Sequence, residues 1–247
     1  SIVAKAVHAD IYENWTDVSG FLVTDPRIVK DPEVISTITY RELRELSYMG
    51  ATVLHEEAIF PVRFAGIPIN IKNTNAPTDR GTMIVATTSE FSSDDVVTGI
   101  AGKKGFSVIN IEKDLMNAEI GFGRKVLSVL EDFNIPFEHL PSGIDSVSLV
   151  VETGKSSPYL YQAMGDLEKE IRPDSLHLTD GMAIVAAVGR KMAFQPGSSG
   201  KIFGKLGENG INIRMITQGP EELNIIVGVD GADFEKAIRA LYDSFVK

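Results

Sequence analysis

Hydrophobic positions follow two rhythms along this chain. In some stretches they recur every three to four residues, as on one face of a helix; in others they alternate or run together, as in strands. Residues 2–9 read as two turns of helix and residues 11–15 as a short strand ending in a polar turn at residues 16–20. Residues 21–23 follow, and Asp25-Pro26 forces a turn. Thr39-Tyr40-Arg41-Glu42 has the form of a capping box and opens a helix carrying Leu43, Leu46 and Met49, which stops at Gly50. Residues 53–65 predict a second helix with a kink at Pro61, residues 67–72 an alternating strand, and residues 82–85 another strand after a polar loop. Residues 91–94 read as a linker.

Beyond that linker the order of elements repeats. Strand, helix, strand, strand, helix and strand are expected at residues 106–113, 121–133, 135–140, 146–152, 158–171 and 175–178. A second series follows at 182–188, 199–208, 211–216, 224–229 and 232–245. Asp132-Phe133-Asn134-Ile135-Pro136-Phe137 in the first copy parallels Glu208-Asn209-Gly210-Ile211-Asn212-Ile213 in the second. The second copy lacks its last strand, while residues 96–101 form a spare strand ahead of the first. An unpaired sheet edge is costly, so the expected arrangement has the first βαββαβ module inserted within the second. The alternative is a hairpin on the first copy, turning at residues 102–105.

Composition narrows the class. The 247 residues suit two or three domains, and 43% hydrophobic with 23% charged residues is ordinary for a globular protein. A formal charge of −10 disfavours nucleic acid and anionic membranes as partners. With no cysteine there are no disulfides and no thiolate metal sites. There is no signal-peptide layout and no span of about 20 apolar residues, so a cytoplasmic protein is expected. His8, His55, His139 and His177 have no ligand spacing, and no metal site is expected.

Candidate chemistry lies in loops. Gly197-Ser198-Ser199-Gly200-Lys201 fails the phosphate-loop spacing, and Gly121-Phe122-Gly123 lacks the third glycine of a dinucleotide fingerprint. Residues 116–123 lead into a helix whose partly positive N-terminus can take a carboxylate. Glu119 or Glu138 could then receive an ammonium group, or both could be solvated surface charges. In the front third, Thr16-Asp17 and Asp25-Pro26-Arg27 fall at strand ends, where open α/β sheets bind ligands. Arg suits phosphate and Asp a ribose or amine; capping and turn formation would equally account for Asp25-Pro26.

These front motifs, together with residues 50–55, 67–74 and Gly81-Thr82, resemble aspartokinase in order and spacing, and the likeness runs the length of the chain. It implies a mixed α/β and α+β fold. Residues 1–89 would be the nucleotide-binding end of an amino acid kinase α/β sandwich. Two ferredoxin-like ACT domains would follow, one at 106–180 and the other at 95–102 plus 181–247. The family transfers the γ-phosphoryl group of ATP, with magnesium, to the side-chain carboxylate of L-aspartate, the first step toward lysine, threonine and methionine. On the resemblance Thr16 and Asp17 would contact adenine and ribose, and Arg27 the phosphates. Leu22 stands where some relatives have tyrosine, and Thr52, beside Val53, where many have lysine; these complete the implied nucleotide set. The implied effector site is Met116, Glu119, Phe122, Gly123, Phe137, Glu138, Asp145 and Ser146, with lysine the first candidate and threonine the second. A homodimer or dimer of dimers through the ACT domains is also implied. The family's Lys-Phe-Gly-Gly phosphate loop is not in this sequence, and its aspartate-binding residues would lie upstream of Ser1, so the piece by itself is expected to be inactive. A non-catalytic regulatory subunit partnering a separate kinase is the rival reading.

Overall fold

A computed structural model describes residues 1–50, 56–87, 96–156, 158–221 and 223–246. Thr52, Val53 and the expected linker at 91–94 lie outside them. The chain opens with α1 (Ile2–Ala6), β1 (Tyr12–Thr16), β2 (Thr37–Thr39), α2 (Tyr40–Tyr48), α3 (Glu56–Ala65), β3 (Ile69–Asn73) and β4 (Thr82–Val85). The four strands form a sheet in the order β1-β3-β4-β2, with only the central β3–β4 pair antiparallel. Ile69 and Ile71 point inward from β3 while Asn70 and Lys72 face out, the alternation expected of a half-covered strand. In residues 21–23, Leu22 makes a single bridge, to Val34.

The Thr39 capping box is formed. The Thr39 side chain accepts from the Glu42 amide, and the Glu42 carboxylate accepts from the Thr39 amide. Two of the N–H groups at this end of α2 are thereby satisfied.

The rest of the chain comprises β5 (Gly99–Glu112), α4 (Phe122–Asp132), β6 (Phe137–His139), β7 (Ser146–Glu152), α5 (Thr153–Ser156), α6 (Leu160–Ile171), β8 (Ser175–Val188), α7 (Ser198–Glu208), β9 (Met215–Thr217), β10 (Asn224–Asp230) and α8 (Phe234–Phe245). These strands make one antiparallel sheet in the order β6-β7-β5-β8-β10-β9. Two of them are unexpectedly long. Residues 99–112 form one 14-residue strand, so residues 102–105 are no hairpin turn. Residues 175–188 form another, so the two strands expected at 175–178 and 182–188 are joined.

Gly99 to Lys104 pair with Val188 to Ala183, beside β10. Residues 106–112 of β5 pair with β7 on one side and with the first half of β8 on the other. Each module therefore takes four strands from the sheet, and the outer strand of the second comes from in front of the first. Register shifts at Phe106 accompany the change of module. Gly105 and Gly181 have φ of +92° and +76° there, which is how a strand passes through a bulge without ending. In the sequence these glycines look like turn residues because the local signal for a bulge and a turn is the same.

Buried side chains form two cores. One spans the front sheet and the second module without a break, from Phe21, Ile38, Leu46 and Ile71 to Ile184, Leu206, Val227 and Leu241. The other is confined to the first module, around Ile109, Val126, Leu130, Leu149 and Leu167. The opposite face of the first module's strands, at Val108 and Val150, joins the larger core.

Candidate functional site

At the front sheet, the parallel pairing of β1 with β3 sets Thr16 opposite Asn73 and brings two C-terminal strand ends together. The Thr74 amide and hydroxyl both donate to the Thr16 carbonyl, at 2.8 and 3.0 Å. The Thr16 hydroxyl donates to Asp17 Oδ1 at 3.1 Å. Asn73 donates to Ser19 Oγ, which donates to Asp79 Oδ2 at 2.5 Å. The Lys72 ammonium lies 5.6 Å from the centre of the Trp15 ring. The result is a polar ledge with the Asp17 carboxylate at its rim.

Arg27 rides a loop closed by the Val23 amide donating to the Glu33 carbonyl at 2.9 Å. Leu22, bridged to Val34, belongs to the base of that loop. The exposed Arg27 guanidinium folds back on Asp25, with Nη2 at 2.6 Å from Oδ2 and Nε at 3.0 Å from Oδ1. These bonds hold the Asp25 carboxyl below the ordinary value. The arginine can exchange this carboxylate for a phosphate, since both offer paired oxygens to its planar fork.

The first module holds a pocket of about 300 Å³ at the start of α4. Met116, Glu119, Phe122 and Gly123 line it, joined by Gly121, Val126, Leu140, Ser142 and Val147. Gly121 adopts a left-handed N-cap with φ 82° and provides no side-chain cap. Glu119 accepts hydrogen bonds from Lys125 at 2.7 Å and ion-pairs with Lys113 at 3.0 Å, contacts that lower its carboxyl below the usual range. Its charge is thus answered by two lysines.

Four other candidates are not brought to this pocket's lining. Phe137 and Glu138 lie on β6, whose Glu138 and His139 face a cleft of about 740 Å³ shared with α2 and the β9–β10 loop. There Glu138 accepts from the Tyr48 hydroxyl. Burial, together with the hydrogen bond to Glu138, pushes the Tyr48 phenol up to about 12. Burial pushes His139 down, against the nearby charges of Glu138 and Glu45. Asp145 and Ser146 are exposed beside the pocket; the Asp145 carbonyl accepts from the Lys113 amide at 2.9 Å. The sequence pattern missed Leu140, Ser142 and Val147, because strand period alone does not show which residues reach the neighbouring helix start.

A third cluster was visible in the sequence only as a cap. Glu42 is fully buried. Besides Thr39, it accepts from Thr98 Oγ1 at 2.6 Å, from the Arg190 amide at 3.1 Å and from Arg190 Nη1 at 2.8 and 3.0 Å. Burial alone would raise its carboxyl. The hydrogen bonds from Thr98 and Thr39 and the charge of Arg190 outweigh that and bring it below the ordinary value. Gly189 makes the approach possible: a Cβ there would lie 2.2 Å from the Val96 carbonyl oxygen.

Among the described residues no cluster of metal-ligating side chains occurs, and no helix is long and apolar enough to cross a membrane.

A polar strand-end ledge on a mixed α/β sheet, joined to a paired βαββαβ sheet, defines a class: part of an amino acid kinase domain carrying ACT modules. The amino acid kinase family pattern matches residues 1–73 and the ACT domain pattern residues 185–245. Aspartokinase 3 of Bacillus subtilis is 40% identical over 99% of this chain and 54% of its own length. The crystal structure of Clostridium acetobutylicum aspartate kinase superposes with a TM-score of 0.94 at 56% identity, covering 98% of this chain and 56% of that one. Escherichia coli aspartokinase III matches over 99% of this chain and 54% of its own. Its R-state complex with aspartate and ADP gives a TM-score of 0.81 at 26% identity, and its T-state complex with lysine and aspartate 0.79 at 27%. A chain of the aspartokinase alpha and beta subunits is 30% identical with a TM-score of 0.55, covered over 99% of its length by 61% of this chain. The chain belongs to the aspartokinase family. It spans about half the length of the Bacillus relative.

Proposed function

We propose that this chain is the nucleotide-side and regulatory part of a feedback-regulated aspartate kinase, which transfers the γ-phosphoryl group of ATP to the side-chain carboxylate of L-aspartate in the cytoplasm. Its units are residues 1–89, 106–180, and 95–102 with 181–247. Thr16 and Asp17 face the adenine–ribose end of ATP, with Leu22, Thr52 and Val53 completing that side, and Arg27 reaches the phosphates. Magnesium arrives with the nucleotide as substrate. Positioning and charge compensation are what such phosphoryl transfer demands of a protein.

The effector is an amino acid bound at the first module. The observation that carries this reading is the pocket at the start of α4, where Lys113 and Lys125 stand beside the helix N-terminus. A carboxylate is the group a helix N-terminus takes. Lysine is the first candidate, supported by the lysine-bound state of the E. coli relative; threonine is second. Glu119 would receive the ligand's ammonium by exchanging one of its two lysines, while Glu138 faces a different cleft. Phe137, Asp145 and Ser146 become second-copy contacts if the ACT modules pair in a homodimer or dimer of dimers.

Calorimetric titration with L-lysine and L-threonine tests this. Saturable heat with one of them, weakened about tenfold or more in Lys125→Met, is expected from the loss of a charge-assisted bond. No heat with either overturns the sensor reading. The alternative, a non-catalytic regulatory subunit, draws on the 61% of this chain that matches a chain of the alpha and beta subunits. The single core joining residues 1–89 to the second module favours the kinase.

A further inference from the structure

Three hydrogen bonds fasten the loop that carries Arg27 to the second module, and its Val29 packs in the core that module shares with the front sheet. At its base, the Val23 carbonyl accepts from the Ile100 amide of β5 at 2.7 Å. On its far side, the Glu33 amide donates to the hydroxyl of Tyr242 on α8 at 3.1 Å. In the middle, one residue beyond Arg27, the Ile28 carbonyl accepts from Arg239 Nε of α8 at 3.0 Å. Val29 is buried in the core shared with α8. Arg239 is itself steadied by Glu235 one turn back on the same helix, at 3.2 Å. Tyr242 is almost fully buried, so its hydroxyl meets the Glu33 amide from a fixed position.

A loop of this length has few internal bonds of its own. The amides of Ile28 and Val29 donate to the Asp25 carbonyl, and the Arg27 amide to the Asp25 carboxylate. These shape the tip of the turn without fixing where it stands. Its location is set from outside, by α8. From this we infer that Arg239 and Tyr242 are positioning residues for the nucleotide: α8 of the second ACT module is a structural wall of the ATP side, holding the Arg27 guanidinium in register with the phosphates. The inference rests on the proposed phosphate role of Arg27.

Positioning matters here because the guanidinium acts through the geometry of a planar fork, and small displacements of a binding group cost large factors in phosphoryl transfer. Neither α8 residue touches the nucleotide. Their loss acts through the loop, on ATP and not on aspartate.

The test uses the intact enzyme with Tyr242→Phe, Arg239→Met and Arg27→Ala. Tyr242→Phe keeps the ring and removes the hydroxyl that accepts from the Glu33 amide. Arg239→Met keeps the aliphatic stem and removes Nε with every other donor. Both are expected to raise KM for ATP about five-fold, in line with loss of a single hydrogen bond, with KM for aspartate unchanged. Amide exchange at Ile28 to Glu33 is expected to quicken, while exchange within α8 stays as it was. Arg239→Lys, which keeps a donor in reach, is expected to recover part of the ATP affinity. Faster exchange in the loop with KM for ATP unchanged would make the brace purely structural and overturn the inference. If Arg27→Ala also leaves KM for ATP untouched, the phosphate role fails as well. A strong Arg27→Ala effect beside silent α8 variants sinks the inference alone.

Discussion

The two ACT modules share one sheet and one topology, yet they stand in different relations to the kinase segment. The second module has no core of its own. Its Ile184, Val227 and Leu241 pack in one cluster with Ile38, Leu46 and Ile71 of the front sheet. Its Arg190 is locked to Glu42, its Asn224 donates to Glu45 at 2.5 Å, and its α8 braces the Arg27 loop. The first module keeps a separate core on its helical face, and its polar link to α2 is the Tyr48–Glu138 bond. Their helix-start pockets differ in the same sense. Both begin with a left-handed glycine cap, Gly121 and Gly197. Glu119, flanked by two lysines, is matched in the second by Gln195 in a pocket of about 250 Å³. The first module's helix start is charged and its helical face keeps its own core; the second's is neutral and its core is shared with the front sheet. Of the two copies of one fold, the second is buried against the kinase segment and acts as its mount.

The comparison breaks most visibly at Glu42. Replacing it with alanine leaves Arg190 partly buried without its carboxylate, a change of about 3–5 kcal/mol for a buried pair. Chemical denaturation of Glu42→Ala should show that loss, with the kinase segment and second module weakened together and the first module's pocket still binding its effector. The same residue sets a pH signature. Its folded pKa lies below the ordinary 4.5, so its contribution is complete above that value. It is lost as pH falls toward and through the depressed folded pKa. Glu42→Gln should flatten that part of the stability profile.

A smaller effect is expected at Tyr48. Tyr48→Phe removes the hydrogen bond to Glu138 and should cost about 1 kcal/mol or less, as exposed polar contacts do. Its signature is directional: the effector response of the intact enzyme should shift while KM for ATP stays fixed. An altered KM for ATP with an unchanged effector response would mean that the first module, too, is part of the mount.

Much of this was legible from residue order. The helices α2, α4, α6, α7 and α8 were each evident from their apolar stripes, and the capping box from Thr39 and Glu42. The strand that completes the second module was evident from what that module lacked. The long strands β5 and β8 were not, because Gly105 and Gly181 signal a turn and a bulge alike. Of the candidate effector residues, Met116, Glu119, Phe122 and Gly123 share the helix start and so come together by local sequence alone. Phe137 and Glu138 depend on which face of β6 is turned to which neighbour, and a three-residue strand with register shifts carries no such information. The roles of Arg190, Arg239 and Tyr242 depend on contacts across more than 140 positions and leave no local trace.

Native-state amide exchange of the intact protein tests the division most directly. Amides of β3, β4 and β10 should open together with one free energy, because they share a core. Those of β7 and α6 should open separately at a different one. If β10 instead opens with β7 and α6 while β3 and β4 remain protected, the paired modules form the cooperative unit, and the second is not a mount for the kinase.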